Sequence, residues 1–239
     1  MCNDWHVPDE DRRALRLLLD FVRQEKPRVI HLLGDIIDLP QLARFDDYLK
    51  RKAELSEDIE CAAEYLAELR KASGQSCRII YSFGNHEDRL VKYAMRRAPE
   101  AEEVLLEWAL GALGLQRQRI QWVEYKKPYK HKGLWFFHGD KVSRHAGYTA
   151  KRTLEEVGGN IIIGHVHRLA FHSVRLWDRL LRAWENGCLC KRSMRYTHHP
   201  NWQQGFSVVH FQGRRFQVEQ VEVQNGSLMY HGELRRVAR

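Results

Sequence analysis

Residues 28–38 read RVIHLLGDIID, and the fold turns on them. A short aliphatic run closing on Gly-Asp is too brief for a helix, and it reads as a buried strand that feeds a loop. Upstream, residues 9–26 place Leu15, Leu18, Leu19 and Val22 at helical spacing with charges between them, and Pro27 ends that amphipathic helix. Downstream, from about Ala43 to Ala72, a highly charged helix keeps Leu55, Ile59, Ala62, Leu66 and Leu69 on one face. CRIIYSFGN (77–85) repeats the strand-then-glycine pattern, and HEDRLVKYAMRRAPEAEEVLLEWAL (86–110) returns to helix.

Beyond Gln121 strands dominate: QWVEY, LWFFHG, NIIIGHVH, FSVVHFQG, RFQVEQVEVQNG and SLMYHGEL, with one helix around Thr149 to Val157. Helices alternating with strands first, and strands clustering later, predict an α/β chain in which sheet packs on sheet with helices outside. No Pro/Gly/Ser-rich linker, repeat or low-complexity segment divides residues 1–239, so one domain is expected.

Hydrophobic residues at 44% and charged residues at 29% match an ordinary globular protein. No run of about 18 apolar residues exists to span a membrane, and the acidic start lacks the apolar segment of a signal peptide. Five scattered cysteines (Cys2, Cys61, Cys77, Cys188, Cys190) make no disulfide framework, so a reducing, cytoplasmic compartment is expected. A net charge of +8 favours polyanions such as nucleic acid or a phosphorylated substrate, and serves solubility equally well.

Polar residues with ligand chemistry sit at the ends of the strands. In DWH, Asp4 and His6 share a face if the segment is extended, and His165 and His167 in GHVH do the same. Between them lie GDIID (Asp35, Asp38), GNHED (Asn85, His86) and FFHGD (His138). Carboxylate, imidazole and amide oxygen all suit a divalent transition metal. Each motif alone has a plainer reading: a solvated terminus, a capping Asp, a hydrogen-bonded imidazole or a turn dipeptide.

Asp-x-His, Gly-Asp-x-x-Asp, Gly-Asn-His-Glu, His-Gly and Gly-His-x-His, in this order from Asp4 to His167, resemble the signature of calcineurin-like metallophosphoesterases. The resemblance implies a four-layer αββα sandwich, two stacked mixed sheets flanked by helices, with the site on loops at strand ends. It implies that Asp4, His6 and His167 hold one metal, that Asn85, His138 and His165 hold the other, and that Asp35 bridges them. His86 would be the catalytic histidine, oriented by Asp38.

Two divalent ions are implied, Mn²⁺ foremost, with Fe, Zn, Ni or Mg as alternatives. About 3.5–4 Å apart, such a pair clamps phosphoryl oxygens and lowers the pKa of a shared water. His86 would then protonate the leaving oxygen.

The implied activity is phosphoester hydrolysis. A phosphodiesterase or nuclease acting on DNA, RNA or nucleotides is the leaning, because YKKPYKHKGLWFF and KRSMRYTHHPNWQQ interleave bases with aromatics. Those segments read equally as strands with a solvated basic face. A phosphomonoesterase, or a nucleic-acid-binding protein with a relic site, is the alternative. GDIIDLP departs from the Gly-Asp-x-x-Asp-Arg-Gly of Ser/Thr protein phosphatases, and other stretches resemble phage and prophage members.

Arg89 and Arg168, directly after two of the motifs, are candidates for substrate phosphate or plain surface residues. Cys188 and Cys190 with His198 and His199 make a weak zinc pattern. His31, His145, His172, His210 and His231 match no signature position and are read as structural or surface. In the family a buried strand leads into Asp-x-His, whereas only MCN precedes it here, so either an upstream segment or an abbreviated strand is expected.

Overall fold

The computed structural model describes residues 1–43, 54–194 and 200–237. Helix α1 (Arg12–Glu25) starts where the Asp11 side chain accepts hydrogen bonds from the Arg13 and Ala14 backbone N–H groups, and ends at Lys26 in the left-handed region before Pro27. Capping of this kind contributes about 1 kcal/mol. Strand β1 (Val29–Leu32) follows, as RVIHLLGD predicts. Helix α2 (Leu55–Ser73) covers the described part of the charged helix; residues 44–53 of that expected segment lie outside the described residues.

Strand β2 (Arg78–Ser82) leads into α3 (Asp88–Arg97) and α4 (Glu102–Ala112). The single helix expected over 86–110 is broken by a 3-10 turn at Pro99–Ala101. The reason is local: proline's ring disfavours helical backbone in the residue before it, and Ala98 sits at φ −155° and ψ 67°.

Strands β3 (Ile120–Val123), β4 (Tyr129–His131) and β5 (Leu134–Phe137) come next, followed by α5 (Tyr148–Val157) and β6 (Asn160–Ile163). A hairpin that the sequence reading passed over, β7 (Ala170–Leu176) and β8 (Arg179–Glu185), precedes β9 (Gly205–Gln212) and β10 (Arg215–Gln224). SLMYHGEL divides into β11 (Ser227–Tyr230) and β12 (Glu233–Arg236).

The strands form a parallel β1-β2-β3 sheet, an antiparallel β12-β11-β10-β9 sheet and a mixed β4-β5-β6-β8-β7 sheet. Residues 1–3 join the first two into one layer. Cys2 pairs parallel with Leu32, while Met1 and Ser207 exchange backbone hydrogen bonds of 2.8 and 2.9 Å.

Side-chain alternation then sorts the cores. Ile162, Leu134 and Phe136 face the other layer with Val209 and Val218, whereas Ile161 and Ile163 face Ala150 and Leu154 of α5. On the opposite side, α1 lays Leu15, Leu18, Phe21 and Val22 across β1, β2, β9, β10 and β11. The order of layers is helix, sheet, sheet, helix. Among the described residues, no helix is long and apolar enough to cross a membrane.

The parallel strands β1, β2, β5 and β6 end on one side, and their following loops hold Asp35, Asn85, His138 and His165. That is the edge where ligands bind in open α/β sheets.

Candidate metal centre

Tight loops bring these side chains together. Asp4, His6, Asp35, His165 and His167 all have positive φ, between 50° and 69°. This corrects the expectation that Asp4/His6 and His165/His167 share a face by extended alternation: the backbone turns left-handed at each of these four residues. Such conformations cost about 1–3 kcal/mol each for non-glycine residues and persist where surroundings enforce them.

Two glycines permit the crossing of the β1 and β2 loops. A Cβ on Gly34, itself at φ +91°, would lie 2.6 Å from both Gly84 N and His138 Nδ1, and one on Gly84 would lie 2.6 Å from Asp35 N. Glu87 then locks the crossing. Its carboxylate accepts from the backbone N–H groups of Asp35 (3.0 Å), Ile36 (2.7 Å) and Gly84 (2.7 Å) and from the Tyr81 hydroxyl (2.6 Å).

Two donor groups converge. In the first, Asp4 Oδ1 lies 3.2 Å from His167 Nε2 and 3.7 Å from His6 Nε2, and the two Nε2 atoms are 3.1 Å apart. In the second, His138 Nε2 lies 3.2 Å from Asp35 Oδ2 and 3.1 Å from Asn85 Oδ1, with His165 alongside. Asp35 Oδ2 is also 3.9 Å from His6 Nε2, which places it between the groups. Of the seven expected ligands, all are brought into this one cluster.

The donor chemistry fits divalent cations. His138 Nδ1 donates to Leu33 O at 2.5 Å and His6 Nδ1 to Asp38 Oδ1 at 3.0 Å, so each ring turns its Nε2 toward other acceptors, a position that a proton fills in the metal-free protein and a cation could fill in its place. Acceptors facing acceptors at 3.1–3.2 Å call for a positive charge between them. Asp4 Oδ1 and His165 Nδ1 are buried without a hydrogen-bond partner among the described residues.

The same field governs protonation. Burial would lower His138, but Asp35 beside it outweighs burial and lifts it to about 9. Burial, reinforced by His138, pushes His165 down to about 4. Burial works to raise Asp38, yet hydrogen bonds from His6 and His86 hold it below the usual carboxylate range.

His86 stands at the edge of the cluster. Its Nδ1 lies 2.6 Å from Asp38 Oδ1, its Nε2 lies 3.7 Å from Asp35 Oδ2, and its backbone N–H donates to Asp35 Oδ1 at 2.9 Å. Arg89 joins this corner, with one guanidinium nitrogen 2.7 Å from Asp38 O and another 3.2 Å from His86 Nε2.

Arg168 is placed differently from the expectation of a phosphate-facing residue. Its guanidinium is buried, donates to the Ser143 and Arg144 carbonyls and lies 3.6 Å from Glu185, so it braces the loop before α5.

The sequence reading assigned no role to Glu87 or Asn3. Asn3 Nδ2 donates to Asp4 Oδ2 and to Gly187 O, fixing the Asp4 carboxylate. Glu87 had a visible signal, being part of Gly-Asn-His-Glu; Asn3 had none. His31 is buried and bonded to Ser82 Oγ at 2.7 Å, in keeping with a structural reading. His198 and His199 of the zinc pattern lie outside the described residues.

A layered αββα sandwich with clustered imidazoles and carboxylates at the strand ends defines a metallophosphoesterase-type protein. The sequence pattern of the calcineurin-like phosphoesterase family matches residues 1–221, and the chain belongs to that family. Two relatives, the gene 54 proteins of Mycobacterium phages D29 and L5, are each 24% identical, over 97% of this chain and 96% of theirs. Among solved structures, a crystal structure of a Vps29 single mutant from Entamoeba histolytica is similar in fold. Its TM-score is 0.51 at 12% identity, covering 99% of this chain and 96% of that one.

Proposed function

We propose that the chain is a dinuclear metal-dependent phosphoester hydrolase. The observation behind this reading is the position of Asp35 Oδ2, within 3.2 Å of His138 Nε2 in one donor group and 3.9 Å of His6 Nε2 in the other. Asp4, His6 and His167 would hold one cation, Asn85, His138 and His165 the second, and Asp35 both. Mixed oxygen and imidazole donors suit Mn²⁺, with Fe, Zn, Ni or Mg as alternatives. Bound there, two divalent ions supply charge to phosphoryl oxygens and acidity to water.

The chain's own residues supply the rest. His86 hands a proton to the leaving oxygen, and Asp38 Oδ1, 2.6 Å from its Nδ1, holds the ring with Nε2 toward the centre. Arg89, with a guanidinium nitrogen 3.2 Å from His86 Nε2, must turn from that nitrogen to the phosphate when the ring carries the proton, where it adds a fixed positive charge.

A phosphodiester of a nucleotide or nucleic acid is the preferred substrate class. Tyr125 borders the centre, its ring 6.3 Å from His138, with Lys92 and Lys126 at 5.5 and 5.7 Å from that ring. An aromatic face with flanking ammonium groups suits a base next to its phosphate. The net charge of +8 supports a polyanion as well. A phosphomonoesterase would use the same donors, and a nucleic-acid-binding protein without turnover would keep only the charge.

The test is turnover of purified protein, loaded with Mn²⁺, on chromogenic phosphodiester and phosphomonoester substrates. His86→Ala is expected to lower kcat about 10²–10⁴-fold, the usual contribution of an acid–base group. Undiminished turnover in Asp35→Ala would reject the dinuclear reading. Preference for the monoester would move the substrate assignment, and salt-dependent binding with no hydrolysis would favour the binding protein.

A further inference from the structure

Behind His167, on the side away from Asp4, lies a pair of thiols that the phosphoesterase chemistry does not use. Cys188 and Cys190 stand on an extended segment, Cys188 bridged to Gln204 and Cys190 to Glu10, so both side chains share a face. Both residues are fully buried, under Met194 and Trp202. Cys190 Sγ is 3.8 Å from His167 Nδ1, and a ring nitrogen of His167 and the two sulfurs all lie within 4.8 Å of one another.

His167 thus presents two different chemistries. Its Nε2 faces the carboxylate of Asp4 at 3.2 Å, whereas its Nδ1 faces sulfur. A metal-binding histidine ordinarily gives its second nitrogen to a carboxylate, a carbonyl or water. Buried cysteines also pack as small hydrophobes, but here the sulfurs converge on a ring nitrogen. The spacing suits a tetrahedral ion: Zn–S of about 2.3 Å and Zn–N of about 2.0–2.1 Å separate the donors by about 3.5–3.8 Å.

We propose that Cys188, Cys190 and His167 Nδ1 form a third cation site for a thiophilic ion such as Zn²⁺, Cd²⁺ or Cu⁺. Soft thiolate donors select these ions over Mn²⁺ or Mg²⁺, which prefer the oxygen-rich donor groups on the other side of the ring. Among the described residues the site draws its histidine from the β6 loop. His167 is common to both centres: as a neutral ring it serves the sulfurs through Nδ1 with its N–H on Nε2 toward Asp4, and filling both centres at once would require it as a bridging imidazolate, its proton released to solvent. The sulfur donors themselves lie outside the dinuclear cluster, so the site stands whether or not the chain hydrolyses phosphoesters.

That separation makes the test direct. Metal-free protein is titrated with Cd²⁺ and with Co²⁺ while thiolate-to-metal charge-transfer absorption is followed; the dinuclear donor groups contain no sulfur and cannot contribute. The band is expected to saturate at one ion per chain, to fall at least tenfold in Cys188→Ser and in Cys190→Ser, and to persist in Cys61→Ser. X-ray absorption on zinc-loaded wild-type protein gives a reading free of variants, with sulfur neighbours at about 2.3 Å expected. Zinc surrounded by nitrogen and oxygen alone, with no charge-transfer band, overturns the proposal. So does a band that survives both serine substitutions.

Discussion

Replacing Glu87 by Gln tests how the centre is held. The residue is 4% exposed and its carboxylate divides its acceptor capacity: Oε1 takes the N–H groups of Ile36 (2.7 Å) and Ile37 (3.3 Å) and the Tyr81 hydroxyl (2.6 Å), and Oε2 takes the N–H groups of Asp35 (3.0 Å) and Gly84 (2.7 Å). An amide keeps only one acceptor oxygen. Its NH₂ meets three donor groups at the Oε1 position or two at the Oε2 position, and the less costly choice gives up Asp35 and Gly84. Hydrogen bonds to charged groups contribute about 1.5–3 kcal/mol each, so the expected loss is about 3–6 kcal/mol.

Against a domain stability of about 5–15 kcal/mol, that brings the variant near its unfolding midpoint or weakens it severely. Urea unfolding of metal-free wild type and variant at matched slope measures the difference. Tyr81→Phe serves as the control, since it removes one bond to Oε1 and leaves both loops pinned; about 1.5 kcal/mol is expected. A Glu87→Gln loss below about 1 kcal/mol, or one no larger than that of Tyr81→Phe, would refute the view that Glu87 fastens the crossing of the β1 and β2 loops.

Gly84→Ala is expected to abolish retention of bound metal, measured by elemental analysis after gel filtration, because its Cβ would fall 2.6 Å from Asp35 N. Mn²⁺ at about 100 times its dissociation constant should stabilise the wild type by about 2.7 kcal/mol per site, and His167→Ala should lose the contribution of one site in thermal unfolding. His31 gives a pH signature: burial holds its folded pKa at about 3, below the ordinary 6.5. The unfolded chain therefore takes the proton first, and stability falls by about 1.4 kcal/mol per unit as pH drops from about 6.5 toward 3. Metal-free His31→Gln should lack that component, and parallel pH profiles for the two proteins would count against it.

The fold was legible where hydrophobic period and punctuation agree. RVIHLLGD and NIIIGHVH each announce a strand that delivers a candidate ligand, because an aliphatic run ends on glycine and a polar residue. The β7–β8 hairpin gave no such notice: its turn is Trp177–Asp178, with a tryptophan at φ 52° where glycine or asparagine is usual. The break between α3 and α4 was legible in Ala98-Pro99 and is set by proline's effect on its neighbour. The candidate ligands could be picked out by residue type, but the left-handed backbone at Asp4 and His167 could not, since it is enforced by contacts far away in the chain. Asn3, for example, is held by Gly187 and Asn186. The meeting of His167 with Cys190 is likewise a tertiary event, between residues that no spacing rule connects.

Asp38 shows why the two halves of such a site are not independent. A single oxygen, Oδ1, lies 3.0 Å from His6 Nδ1 and 2.6 Å from His86 Nδ1, and the two rings meet edge to face with centroids 4.5 Å apart. The same carboxylate therefore fixes the tautomer of an expected metal ligand and of the expected proton donor. Any change that rotates Asp38 turns both imidazoles at once, moving one Nε2 relative to Asp4 and the other relative to Asp35. Arg89, donating to the Asp38 carbonyl and reaching His86 Nε2, opposes that rotation from the outside. On the proposed function, cation affinity and proton transfer would share one mechanical hinge, located in the loop that follows β1.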